Sequence, residues 1–176
     1  MKKLVILLIL LAAVIFTAGC TEETQEKSGV VEATEPGQNV SSQEKSVVVD
    51  AATLEQINTS LQEGPVLMKI GSEGCGPCNA MKPMLQELAT EYSGKATIMS
   101  IDITQSPALE AYFKIGYVPD STVIVNVTDG EYVYMKPDGS VTTDRFQARI
   151  PGLMEKSVFE DVLNLALLEK DKSKSE

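Results

Sequence analysis

Residues 65–84 read Pro65-Val66-Leu67-Met68-Lys69-Ile70-Gly71-Ser72-Glu73-Gly74-Cys75-Gly76-Pro77-Cys78-Asn79-Ala80-Met81-Lys82-Pro83-Met84. Val66 to Ile70 is apolar at every position but one, the pattern of a central strand with helices on both of its faces. The small residues after it predict a loop. Beyond Gly76 the period changes, because Met81, Met84, Leu85, Leu88 and Tyr92 recur at helical spacing and predict a helix over 76–92. Pro83 lies inside that helix and predicts a kink near its second turn. Two thiols therefore stand three residues apart where a buried strand hands over to a helix. Cysteines so placed can close a small disulfide ring, and the free N–H groups of a helix start stabilise a thiolate at the first of them.

The flanking sequence supplies the rest of a layered domain. Val47-Val48-Val49 is a β-branched run. Leu54, Ile57 and Leu61 follow at helical spacing, with Thr53 and Gln56 placed as a capping box and Gly64 as the stop. Ala96 to Ile101 predicts another strand. Ser106-Pro107 opens a helix carrying Leu109, Tyr112 and Phe113, which Gly116 ends. Thr122–Val127 and Glu131–Met135 flank Asp129-Gly130 as a hairpin, Lys136-Pro137-Asp138-Gly139 is a second turn, and a further strand is expected within 145–150. Ser157 and Glu160 open a last amphipathic helix with Phe159, Val162, Leu163 and Ala166. This order predicts an α/β fold, a central mixed β-sheet flanked by helices on both faces.

Composition limits the chemistry. The 176 residues carry a net charge of -10, which opposes phosphate backbones and excludes nucleic acid as a partner. There is no histidine, so imidazole triads and zinc sites built on imidazole are excluded, and the work falls to thiols, carboxylates, lysines or the backbone. A metal site at Cys75 and Cys78 is disfavoured, since two thiolates fall short of four ligands.

Met1 to Gly19 has a basic start, an apolar run from Leu4 to Phe16 and small residues before Cys20, the build of an export signal too short to span a bilayer. Thr17-Ala18-Gly19-Cys20 resembles the lipobox of exported lipoproteins, which implies a diacylglyceryl group on Cys20. An uncleaved signal anchor and an ordinary secreted protein are the alternatives. All three place the domain outside the cytoplasm, on the outer face of the cell membrane if Cys20 is lipidated. Residues 20–46 then form a lipidated cysteine and a polar, disordered tether, 47–169 the folded domain, and 170–176 a frayed polar tail. Loss of 1–19 leaves the chain more acidic still, so attachment to an anionic membrane must come from the lipid.

The motif Cys75-Gly76-Pro77-Cys78, the preceding strand, Pro83, the Ile101-Asp102 strand end and Val118-Pro119 together resemble the thioredoxin family. The resemblance covers the whole folded part. It implies a thioredoxin-like fold, thiol-disulfide exchange with partner proteins, a cis proline at 119 facing the cysteine pair, and substrate contacts from Gly76, Pro77, Val118 and Pro119. No cofactor is expected beyond the redox-active pair. Cys75 is then the nucleophile and Cys78 the resolving thiol. A permanent structural disulfide is the plainer alternative, although so small a loop gains little from closure. The partners are exported proteins with thiols or disulfides and a membrane electron donor or acceptor. Gly76-Pro77 is the dipeptide of reducing thioredoxins and argues for a reductant. An oxidase or isomerase, or a redox-silent peptide-binding module, are the alternatives.

Several positions depart from the family. The family's buried carboxylate, six residues before the first cysteine, is replaced by Lys69, and the lysine that partners it by Ile98. Lys69 either favours a thiolate at the site or snorkels to an edge. Gly71 and Gly74 stand where the family has tryptophans and leave a flatter lip. Glu73 and Asp120 are read as solvated loop carboxylates, with opposition to the thiolate or proton transfer as the sharper alternative. Residues 129–149 exceed the family hairpin and add a strand or a lip beside the site. Met68, Met81 and Met84 are read as core rather than as soft-metal ligands.

Overall fold

The computed structural model describes residues 47–175. The proposed signal, Cys20 and the tether lie outside the described residues. Seven strands form one sheet: β1 (Val49–Asp50), β2 (Val66–Gly71), β3 (Thr97–Asp102), β4 (Asp120–Thr128), β5 (Glu131–Met135), β6 (Val141–Thr142) and β7 (Ile150–Pro151). Their order is β1-β3-β2-β4-β5-β6, with β7 paired to β4. The β1–β3 and β2–β3 pairs are parallel and the others antiparallel. The helices are α1 (Leu54–Glu63), α2 (Gly76–Ala80), α3 (Lys82–Glu91), α4 (Pro107–Phe113) and α5 (Lys156–Ser175). Among the described residues no helix is long and apolar enough to cross a membrane.

Period two along β2 sorts its side chains between two cores. Val66, Met68 and Ile70 join Ile57 and Leu61 of α1 and Leu109 and Phe113 of α4 on one face. Leu67 packs on the other with Leu85 and Leu88 of α3 and Phe159, Val162 and Leu163 of α5. Lys69 shares the parity of Leu67, so it lies on the face that the cysteine helices cover. Met68 and Met81 are fully buried and Met84 packs against the core, as the core reading expects.

The long helix predicted over 76–92 is broken at Met81. Pro83 has no N–H to give Asn79, and its ring crowds that carbonyl, so the helix restarts. At α1 the capping box of Thr53 and Gln56 forms. Gly64 ends α1 in extended backbone rather than in a left-handed cap, and a Cβ there would lie 2.2 Å from the Lys95 carbonyl oxygen. Close approach of two chain segments explains this glycine.

Other boundaries differ from the sequence reading. Lys114, at φ 51°, terminates α4 in place of Gly116, and Ser106 makes no side-chain cap bond. The strand expected within 145–150 is a 3-10 turn at Arg145–Gln147 followed by the two residues of β7. Asp129 and Gly130 turn the β4–β5 hairpin with positive φ. The last helix starts at Lys156, so Ser157 falls inside its first turn, and its helical backbone continues to Ser175, past the boundary expected at 169. Lys170 Nζ donates to the Leu61 carbonyl at 3.0 Å, joining α5 to an orphan acceptor at the end of α1.

Candidate functional site: a dithiol beside a buried lysine

The loop after β2 is shaped by a few backbone and amide bonds. Ile103 N–H donates to the Gly71 carbonyl at 3.0 Å, Cys75 N–H to Ser72 at 3.2 Å, and Asn79 Nδ2 to the Glu73 carbonyl at 2.8 Å. They hold Cys75 at the N-cap of α2, with Pro77 in the first turn, where its missing N–H leaves no donor unsatisfied. Cys75 and Cys78 are disulfide-bonded. The Cys78 N–H also points at Cys75 Sγ, 3.1 Å away. A thiolate formed there on reduction keeps that donor.

The two sulfurs are not equivalent. Cys75 is half-buried and flanked by exposed Gly74, Gly76 and Pro77, whereas Cys78 is 1% exposed. Its sulfur sits under Gly71, where a built Cβ would approach Cys78 Sγ to 3.0 Å and Lys69 Nζ to 2.5 Å. The amine and the Cys78 sulfur are thus within about 5.5 Å of each other, the sum of those two distances. Gly71 in place of a tryptophan makes room for that amine, while Gly74 has no neighbour that a side chain would meet.

Lys69 is 5% exposed and lines a cavity of about 380 Å3 together with Asp50, Ser72, Glu73, Lys82 and Asp102. Burial pushes its ammonium below the ordinary value of 10.5, and Lys82 pushes it further; Asp102 and Asp50 oppose the shift. Asp102 is held below the usual carboxylate range, first by the Thr104 hydroxyl on its Oδ1 at 2.6 Å. Lys69 therefore does not snorkel to an exposed edge. It stands beside Cys78 and lines that cavity. Glu73 is exposed and serves the loop through its carbonyl.

The Val118-Pro119 peptide is cis. Antiparallel register opposes Ile70 to Asp120, which sets Pro119 across from Gly71, at the end of the sheet that carries the cysteines. Pro119 is buried and Val118 partly so.

Asp120 departs from its expectation. It is fully buried, accepting from Arg145 Nη1 at 2.8 Å and Arg149 Nε at 3.1 Å. Arg145 Nε also donates to the Phe113 carbonyl at 2.9 Å, while its Nη2 has no partner among the described residues. A fully buried carboxylate locked between two guanidiniums is not a solvated loop acid, so Asp120 is a structural hub. The extension at 129–149 builds this hub and contributes β6 to the edge of the sheet. Neither arginine was singled out by the sequence reading. Their signal was nonetheless present, since they are the only arginines in a chain otherwise supplied with lysine, and arginine is the cation suited to buried pairing with a carboxylate. Among the described residues, no group of three or more His, Cys, Asp or Glu could hold a metal ion.

A redox pair at a strand-to-helix junction, one sulfur outward and one inward, with a cis proline on the adjoining antiparallel strand, defines a protein of thiol-disulfide exchange. Comparison with known proteins agrees. The thioredoxin family model matches residues 45–150. Thioredoxins of Staphylococcus saprophyticus and Staphylococcus aureus are 37% and 34% identical over 81 and 76 residues, spanning 46% and 43% of this chain and 75% and 70% of theirs. In structure, a point mutant of thioredoxin from Halobacterium salinarum gives a TM-score of 0.51 at 20% identity, over 68% of this chain and 90% of that one. Chloroplastic thioredoxin z gives 0.52 at 16%, over 68% and 93%. These two show the shared fold. The chain belongs to the thioredoxin family and is a thiol-disulfide oxidoreductase.

Proposed function

We propose that this oxidoreductase is a lipid-anchored, extracytoplasmic reductase of disulfides in exported proteins, tethered through Cys20. The asymmetry of the cysteine pair carries the reading: Cys75 is at the surface end of α2, and Cys78 is buried beside an amine. The Cys75 thiolate attacks one sulfur of a partner disulfide, forming a mixed disulfide and releasing the first partner thiolate. The Cys78 thiol passes its proton to Lys69, or is held as a thiolate by the Lys69 ammonium. Cys78 then attacks Cys75 Sγ, releases the second partner thiolate and closes the Cys75–Cys78 disulfide. Two electrons pass to the partner, and a membrane electron donor must restore the dithiol.

The reading places Gly76, Pro77, Val118 and Pro119 along the partner segment, which would lie extended across the cis proline and pair with backbone groups beside it. One observation favours a second reading, oxidation of partner thiols: a charged Lys69 beside Cys78 stabilises a thiolate over a disulfide. The reduction potential separates the two. A value near that of thioredoxins, about −270 mV, marks a reductant, and one well above it an oxidant.

The test is a Cys78→Ser variant expressed with Cys20 intact. Mixed disulfides between Cys75 and exported proteins, recovered in the membrane fraction and moved to the soluble fraction by Cys20→Ser, are expected. Absence of adducts through Cys75 overturns the exchange mechanism, and adducts that are soluble with Cys20 intact overturn the anchor.

A further inference from the structure

Beside Pro119 the extension leaves a surface that the exchange chemistry does not use. Gly152 N–H donates to the Pro119 carbonyl at 2.9 Å, and β7 pairs Pro151 with Asp120. At Asp120, therefore, β4 has β2, the strand that leads into the cysteine loop, on one side and β7 on the other. Arg149 immediately precedes β7. Its guanidinium carbon lies 4.2 Å from the Tyr117 ring centre and 5.6 Å from that of Phe146. Both rings are about half exposed, at 51% and 50%. Arg149 Nε is bound to Asp120, and among the described residues no hydrogen bond is made by its Nη edge. Asp144, the nearby acid of the 3-10 turn, accepts from Phe146 N–H and Gln147 Nε2.

Two guanidiniums share the Asp120 carboxylate here and Asp144 offsets the remaining charge, so the lip is near neutral on a chain whose total is -10. Most of the surface repels an acidic segment, whereas this lip offers one the unpaired Nη donors of Arg149. A basic segment would find attraction almost everywhere and no register. The Nη edge of an arginine matches a carboxylate with two parallel donors, and the exposed rings on either side of it offer apolar contact.

We propose that the Tyr117–Arg149–Phe146 lip reads an acidic residue flanking the reacting cysteine of a partner protein. The inference rests on the exchange reading above and adds the class of partner. Gly152 and Tyr117 tie the lip to the chain around Pro119, and an extended segment advances about 3.3 Å per residue, so a partner lying across Pro119 and over the lip carries its acid within a few residues of its cysteine. The partner carboxylate is therefore expected at one fixed position near its cysteine.

The test uses the reduced protein and octapeptides, each carrying its cysteine as a mixed disulfide with 5-thio-2-nitrobenzoate. Exchange oxidises the Cys75–Cys78 dithiol and releases the peptide thiol and the coloured thiolate. Peptides with Glu at each position on either side of the cysteine are compared with their Gln counterparts. The expected result is a second-order rate constant about fivefold higher for Glu at one position near the cysteine, falling toward parity as salt rises from about 0.05 to about 0.5 M. The Glu-to-Gln ratio should fall to one in Arg149→Met and return in part in Arg149→Lys. A ratio of one in the unmodified protein, or one that survives Arg149→Met, overturns the lip while exchange itself stands. If neither peptide reacts at Cys75, the exchange reading falls and the lip with it.

Discussion

Lys69 is the residue on which the proposed chemistry of the site turns, because it places a buried amine where the family keeps an acid. The sign of its effect on stability follows from its lowered pKa. Between the folded value and 10.5 the unfolded chain binds more protons than the native one, so stability of the oxidised protein rises with pH across that window. Below the folded value the full cost of burying an ammonium remains. Lys69→Met should therefore stabilise the oxidised protein at neutral pH by about 1 kcal/mol or more and flatten the slope below pH 10, as read by urea unfolding at a series of pH values. Tyr132, raised by burial to about 12, and Tyr134, also raised, act in the opposite sense above pH 10. In the dithiol state the same substitution should move alkylation of Cys78 to higher pH, and unchanged alkylation would remove Lys69 from the mechanism. Gly71→Ala offers an independent approach: its methyl would collide with Lys69 Nζ and crowd Cys78 Sγ, so it should slow resolution of the mixed disulfide more than its formation. Equal slowing of both steps would argue against a role for the amine at Cys78.

At the scale of elements, the structure joins pieces that are remote in sequence, and these joints carry large energetic consequences. Asp120→Asn would leave Arg145 buried without a compensating charge and should cost about 3–5 kcal/mol in urea unfolding; a loss below about 1 kcal/mol would show that the pair is not structural. Gly64→Ala should cost about 1–3 kcal/mol, since the Lys95 carbonyl is backbone and cannot move aside cheaply. Elements set by local chemistry were legible in the sequence. The capping box at Thr53, the Asp129-Gly130 turn and the buried β2 each follow from a few adjacent residues, and Pro83 announced an irregularity there, although as a kink and not the full break that forms. Positions set by distant partners were not. Asp120 reads as a loop acid until Arg145 and Arg149 arrive across 25 and 29 positions. The 170–175 segment reads as a tail until Lys170 meets the end of α1. Lys69 falls between the two cases: period two gives the face it occupies, but its distance to Cys78 depends on Gly71 lacking a side chain.

For the whole molecule, two cores clamp the sheet from either side, and the cysteine loop emerges where β2 leaves that clamp. The scaffold presents one sulfur of the pair and retains the other, and the proposed reaction depends on that division. It is tested most directly by reducing the protein, exposing it briefly to iodoacetamide at neutral pH and locating the label by mass spectrometry. Cys75 should be alkylated first and Cys78 only after a long delay or on unfolding. Label appearing first on Cys78, or on neither cysteine of the folded dithiol, would contradict the assignment of Cys75 as the attacking group.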